Sequence, residues 1–144
     1  MKTKKPTFLF LLAVILLAAL PACASQANNS LSMAPLDQMA PEVRSAAVPV
    51  QQAYRFAVAN ADTMKQVPCY CGCAAMGHTS NYSCYVSKVG ANGEVTFDDH
   101  ALGCSLCVDI TQDVMRLQRD GKPIQEIRSF IDSTYSKYGP SNIQ

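Results

Sequence analysis

The chain has 144 residues with 12 basic and 11 acidic side chains, a formal net charge of +1 at pH 7. The charges form no basic stripe and no acidic tail, so nucleic acid is excluded as an expected partner, as is a cation store built from carboxylates. The length allows one small domain with a modest core.

The first 22 residues have the parts of a secretory signal. Three lysines lie within the first five residues, a thirteen-residue apolar run spans 8–20, and Pro21-Ala22 precede Cys23. The run is too short to span a membrane, which takes roughly 20 apolar residues. Removal of residues 1–22 lowers the basic residues from 12 to 9 against 11 acidic ones, which leaves the mature chain slightly acidic.

The segment Leu20-Pro21-Ala22-Cys23 resembles a bacterial lipobox. The resemblance implies that Cys23 is lipidated with palmitate-type chains, becomes the first residue, and anchors the protein to the extracytoplasmic face of a cell membrane. Two or more acyl chains anchor stably where one chain is marginal. The alternative is a plain secretory signal cut nearby, with Cys23 an ordinary thiol.

Residues 23–48 are rich in Ala, Ser, Asn, Gln, Pro and Met and show little periodicity. This composition favours a flexible tether between the anchor and the domain, because it buries too little apolar area to offset the entropy of ordering. The scattered apolar side chains between Leu31 and Met39 leave a second interpretation open, a short segment docked on the domain.

The predicted domain covers residues 49–140. Its first helix begins at Pro49, places Tyr54 and Val58 on one face, and ends or kinks at Asn60. A short turn at 62–66 follows. Pro68 disfavours helix for the residue before it, so the next cysteines are expected in a loop.

The second half of the domain predicts a hairpin and two helices. Strands at 85–89 and 94–97 flank a Gly90-Ala91-Asn92-Gly93 turn, and 98–103 is a connection. Apolar residues recur at helical spacing over 104–119, and again from Pro123 until Gly139-Pro140. We expect a mainly α, small α+β fold, with three or more helices packed around a Cys-rich loop and a short β-hairpin.

Six cysteines remain if Cys23 carries lipid: Cys69, Cys71, Cys73, Cys84, Cys104 and Cys107. Alternate residues of an extended loop point to one side, so the first three thiols can converge, with Gly72 allowing a bend. Such neighbours meet the geometric requirements of a disulfide poorly. Their pattern is more typical of metal ligands.

Cys104 and Cys107 form a Cys-x-x-Cys pair predicted at the first turn of a helix, where the helix dipole favours thiolate. The same spacing serves metal binding and disulfide exchange. His78 and His100 are the only histidines of the chain, and each lies within five residues of a cysteine. Imidazole with several thiolates suits Cu(I) or zinc.

The hexapeptide Pro-Cys-Tyr-Cys-Gly-Cys at 68–73 resembles the signature of the bacterial lipoproteins with a PCYCGC motif. The resemblance extends over residues 50–138, through Gln52-Ala53-Tyr54, Gly77-His78, Ser80-Asn81, Cys84, Asp98-Asp99-His100, Gly103-Cys104-x-x-Cys107 and Ile124-x-x-Ile127-Arg128-x-x-Ile131-Asp132. It implies a lipoprotein in which the cysteines are grouped with the histidines, and it supplies no reaction.

Three hypotheses for function follow. The favoured one is an extracytoplasmic metal-binding protein without catalytic activity, which holds Cu(I) or zinc through the six cysteines with His78 and His100, for storage or delivery to a membrane or extracytoplasmic metalloprotein. Six thiols exceed the four ligands of one tetrahedral zinc, which favours a multinuclear Cu(I) cluster or zinc plus a disulfide. The second hypothesis is a domain held by three disulfides. The third is a thiol–disulfide oxidoreductase that uses Cys104 and Cys107.

Overall fold

The computed structural model of the chain describes residues 30–143. The predicted signal peptide, Cys23 and the first part of the predicted tether lie outside these residues. Within the described part of the chain, no helix has both the length and the apolar character needed to cross a membrane.

The described chain is mainly helical with one small antiparallel hairpin, as the sequence predicts. Its elements are, in order, α1 (Pro41–Ser45), α2 (Val48–Ala59), α3 (Ala61–Met64), β1 (Val86–Val89), β2 (Val95–Phe97), α4 (His100–Gly103), α5 (Ser105–Arg119) and α6 (Ile124–Tyr135). Single 3-10 turns lie at Leu36–Gln38, Cys73–Met76, Asn81–Cys84 and Ser136–Tyr138.

Helix α5 is the centre of the domain and packs against both α2 and α6. The predicted apolar stripe is confirmed, since Ile110, Val114 and Leu117 are buried on one face of α5. The chain reverses after α5 at Gly121, whose positive φ of 75° is a backbone conformation that glycine adopts without strain. Every fourth residue of α6 from Ile127 to Tyr135 is then buried against the same core.

The hairpin has the predicted turn, and its pairing is irregular between Val86 and Lys88. Val89 pairs with Val95, and the amide of Gly90 donates to the carbonyl of Glu94 at 2.8 Å. Two strands alone are marginally stable, so they require packing on another element. Tyr85, just before β1, meets Tyr54 of α2 edge to face with ring centroids 4.9 Å apart.

Residues 31–48 pack on the domain. Met39 and Val43 are only 4% and 1% exposed, and Arg55 on α2 donates through Nε to the carbonyl of Ala34 at 2.7 Å. From Leu31 onward this segment is therefore docked on the domain and is not a free tether. The domain begins well before the predicted residue 49. Periodicity does not reveal this segment because its helical pieces are three and five residues long.

Replacement of Met39 by alanine is expected to lower the free energy of unfolding by about 2–5 kcal/mol, because it leaves a cavity beneath the docked segment. Urea unfolding of the two chains would measure the difference. Gln38→Ala alters an exposed neighbour and serves as the matched control, expected to stay within about 0.5 kcal/mol of the parent. A tether that does not pack would make the two variants indistinguishable.

Candidate metal centre

Three segments of the chain bring the six described cysteines into one cluster. The loop that follows Pro68 supplies Cys69, Cys71 and Cys73, the 3-10 turn Asn81–Cys84 supplies its last residue, and Cys104 and Cys107 begin α5. All six are free thiols. The cluster therefore differs from the three-disulfide arrangement that the sequence left open.

The sulfur atoms lie at distances suited to a shared cation. The Sγ atom of Cys69 is 3.4 Å from that of Cys71 and 3.5 Å from that of Cys107. The Sγ atoms of Cys71 and Cys107 are 3.6 Å apart, and those of Cys73 and Cys84 are 3.8 Å apart. Sulfurs bound at ~2.3 Å to one tetrahedral ion lie ~3.8 Å from each other.

His100 adds a nitrogen ligand to this cluster. Its Nε2 atom is 3.3 Å from the Sγ atom of Cys71, and its backbone N–H donates to Asp98 Oδ1 at 2.9 Å. The predicted connection over 98–103 contains the short helix α4, which begins at His100. A helix of four residues is too short to produce a periodic signal.

The ligand atoms fall into four overlapping groups, and within each group all atoms lie within 4.8 Å of one another. These groups are Cys71, His100, Cys104 and Cys107; Cys69, Cys71 and Cys73; Cys69, Cys84 and Cys107; and Cys73, Cys84 and His100.

Each pair of groups shares one residue. Six residues are shared in this way, and Cys104 alone belongs to a single group. Five of the six shared residues are cysteines, whose thiolate sulfur can bridge two ions, whereas the ring nitrogen of His100 has one lone pair and can bind a single ion. Such sharing is what a multinuclear thiolate cluster requires, since a single tetrahedral ion needs four ligands and no bridges.

The protonation of the cluster depends on burial and on the contacts between the thiols. Hydrogen bonds donated by Cys107 and Cys84 hold the pKa of Cys69 well below its usual range. Burial, followed by the charge of Cys69, raises the pKa of Cys71 and that of Cys73. Without metal these contacts favour ionisation of Cys69 over that of Cys71 and Cys73, and cations must displace the protons of these two thiols when they bind.

His78 lies beside the cluster but belongs to none of the four groups. Its Nε2 atom is 3.4 Å from Asp98 Oδ2, and its ring meets that of His100 edge to face with centroids 5.2 Å apart. Its Nδ1 atom is buried without a hydrogen-bond partner among the described residues. The structure thus brings seven of the eight predicted ligands together and places His78 as a neighbour of His100.

Asn142 holds the cysteine loop from the end of the chain. Its backbone N–H donates to the carbonyl of Cys69 at 3.1 Å, and its Oδ1 accepts the Cys69 N–H at 2.7 Å. Its Nδ2 group donates to the Sγ atom of Cys73 at 3.5 Å. Sequence reasoning ended the domain at residue 140 and missed this side chain, because nothing in a tail after Gly139-Pro140 distinguishes it.

A buried polar network fixes the other side of the cluster. Tyr85 donates its hydroxyl to the carbonyl of Cys107 at 2.7 Å and lies 2.6 Å from the Thr111 hydroxyl. Thr111 can also donate to Asn81 Oδ1 at 2.8 Å. Thr111 was a usable signal, because a polar side chain on the apolar face of a predicted helix needs a hydrogen-bond partner when it is buried.

A family model described as a protein of unknown function with a PCYCGC motif matches residues 32–142. The chain belongs to this family. The match to the PCYCGC family includes both the docked N-terminal segment and Asn142, in agreement with the wider domain boundaries of the structure. No curated protein and no solved structure matches the chain.

Proposed function

We propose that the domain binds several Cu(I) ions in a thiolate cluster, for storage or delivery on the outer face of a cell membrane. The observation that supports this function is the sharing of five cysteines among four overlapping ligand groups. A site for one structural ion needs four ligands, and none of them has to bridge to a second ion. The proposed recipients are membrane or extracytoplasmic metalloproteins.

Copper(I) fits the ligand set better than a divalent ion does. Two of the groups consist of three thiols each, and soft thiolates favour soft ions. Six thiolates with four monovalent ions carry a net charge of −2, so the buried sulfurs are largely compensated. Divalent ions at all four positions would repel one another more strongly in the same small volume.

Zinc is the second candidate because one group has four members. Cys71, Cys104, Cys107 and His100 provide the three sulfurs and one nitrogen of a closed structural zinc site. This alternative leaves Cys69, Cys73 and Cys84 without a metal, although all three are buried.

Disulfide exchange is the remaining alternative. It needs an accessible, low-pKa thiolate as the attacking group. Cys107 is fully buried, and the hydrogen bond it gives to Cys69 raises its pKa. Both features disfavour Cys107 as the attacking thiolate.

Metal titration tests the proposed function. The full chain is purified in detergent without oxygen, its free thiols are counted by alkylation, and Cu(I) is titrated against the chromogenic chelator bathocuproine disulfonate. We expect six reactive thiols and three to four Cu(I) per chain, with any bound zinc displaced. One retained zinc, or six thiols already blocked in a metal-free chain, would refute the proposal.

We further propose that Cys23 carries the lipid anchor. The supporting feature is the lipobox resemblance of the segment that ends at Cys23. In bacteria supplied with labelled palmitate, the parent chain is expected to incorporate the label and Cys23→Ala to incorporate none. Cys71→Ala is the matched control, because it also removes one thiol and should remain labelled. Equal labelling of all three chains would contradict the anchor.

A further inference from the structure

We propose that the cluster exchanges ions with a partner through one position, the group of Cys71, His100, Cys104 and Cys107, which we call the outer position. The other three positions retain their ions more tightly. This inference rests on the proposed function and adds to it the route by which the cargo enters and leaves.

Burial differs systematically among the four positions. Three ligands of the outer position, Cys71, His100 and Cys104, are partly exposed. Each of the two groups that contain Cys73 has one partly exposed ligand, which is Cys71 in one group and His100 in the other. The group of Cys69, Cys84 and Cys107 has none. An incoming ligand can therefore reach an ion at the outer position directly, whereas an ion at the innermost position is covered by its own ligands.

Cys104 gives the outer position a ligand that can detach alone. It belongs to no other group, so breaking its bond to the ion leaves the bridges among the other positions intact. It also caps the N-terminus of α5 without making a side-chain capping hydrogen bond. Its thiol thus makes no capping bond that would have to break on detachment, and the side chain packs only partly against the core.

Two contacts hold His100 in place. The backbone N–H of His100 donates to Asp98 Oδ1, and the ring of His78 packs edge to face against the imidazole. Imidazole is a harder donor than thiolate and so a weaker competitor for Cu(I). The outer position therefore combines one detachable thiolate with one weak nitrogen ligand.

The partner that fits this position presents a cysteine thiol. In the exchange, the sulfur of the incoming thiol forms a bond to Cu(I) and loses its proton, the bond between Cu(I) and the Cys104 sulfur breaks, and Cys104 takes up the proton. Charge and oxidation state are unchanged, so the step needs no oxidant or reductant. Further substitution of His100 and the remaining thiolates by ligands of the partner completes the transfer.

Chelator kinetics test this inference. The full chain, loaded with Cu(I) in detergent, is mixed with excess bathocuproine disulfonate in a stopped-flow instrument. We expect one equivalent of Cu(I) to leave at least tenfold faster than the rest. Cys104→Ser should lose this fast equivalent and keep the slow ones, whereas Cys84→Ser should lose slow amplitude and keep the fast equivalent.

The outcomes separate the two proposals. Several ions that all leave in one phase, or a fast equivalent that survives in Cys104→Ser, would overturn the outer position and leave the proposed function intact. A parent chain that binds one ion or none overturns both, and the titration detects this before any kinetics are measured. Circular dichroism of each variant identifies any variant that has failed to fold.

Discussion

Replacement of Cys107 by serine is expected to lower the number of Cu(I) ions bound per chain by at least two. Cys107 belongs to two ligand groups, and its Sγ atom lies 3.5 Å from that of Cys69 and 3.6 Å from that of Cys71. Its hydroxyl replacement cannot bridge soft ions as a thiolate does. The substitution therefore removes one ligand from each of the two groups that contain Cys107.

The other cysteine of the same Cys-x-x-Cys pair provides the matched comparison. Cys104 belongs to one group only, so Cys104→Ser should cost a single ion. Met76→Leu removes an exposed sulfur outside all four groups and should cost none. Native mass spectrometry of the loaded chains gives the stoichiometry. An equal loss in Cys104→Ser and Cys107→Ser would contradict the shared-ligand arrangement.

Metal loading is expected to raise the thermal midpoint by roughly 15 °C. An ion that binds only the folded chain, at ~1,000 times its Kd, stabilises it by about 4 kcal/mol. For a domain of somewhat more than 100 residues, each kcal/mol shifts Tm by about 4 °C. The effect should be large here because the ligands come from three segments that are far apart along the chain, and most of these segments are loops and short turns.

Differential scanning calorimetry with and without Cu(I) measures this shift. Addition of bathocuproine disulfonate should reverse it, and Cys69→Ser should reduce it because Cys69 belongs to two groups. Gln38→Ala, which changes an exposed residue far from the sulfurs in sequence, should retain the full shift. A Tm that does not respond to metal would show that the buried thiols stabilise the fold without an ion.

The longer elements were predictable because their patterns are local. The apolar stripes of α5 and α6 and the Gly-rich turn of the hairpin are visible in single windows of sequence. The docked segment before α2 was not settled by sequence, because its buried residues lie on pieces too short for periodicity and their burial depends on a partner surface. The same reason applies to α4, which has four residues.

The composition of the site was predictable, and its connectivity was not. Residue chemistry pointed to the six cysteines, His78 and His100 as ligands, since few other residue types bind soft ions, and all but His78 belong to the ligand groups. That His78 would face Asp98, and that Asn142 would hold the cysteine loop, depends on contacts between segments more than 15 residues apart. The sharing of ligands among four positions likewise exists only once the three cysteine-bearing segments meet.

X-ray absorption at the copper K-edge of the Cu(I)-loaded full chain tests the central claim most directly. A multinuclear cluster predicts a first shell dominated by sulfur and a second shell from neighbouring copper atoms, with both shells reduced in Cys107→Ser. Isolated copper ions with no copper–copper shell, or a chain that accepts only one zinc ion in a shell of three sulfurs and one nitrogen, would contradict it.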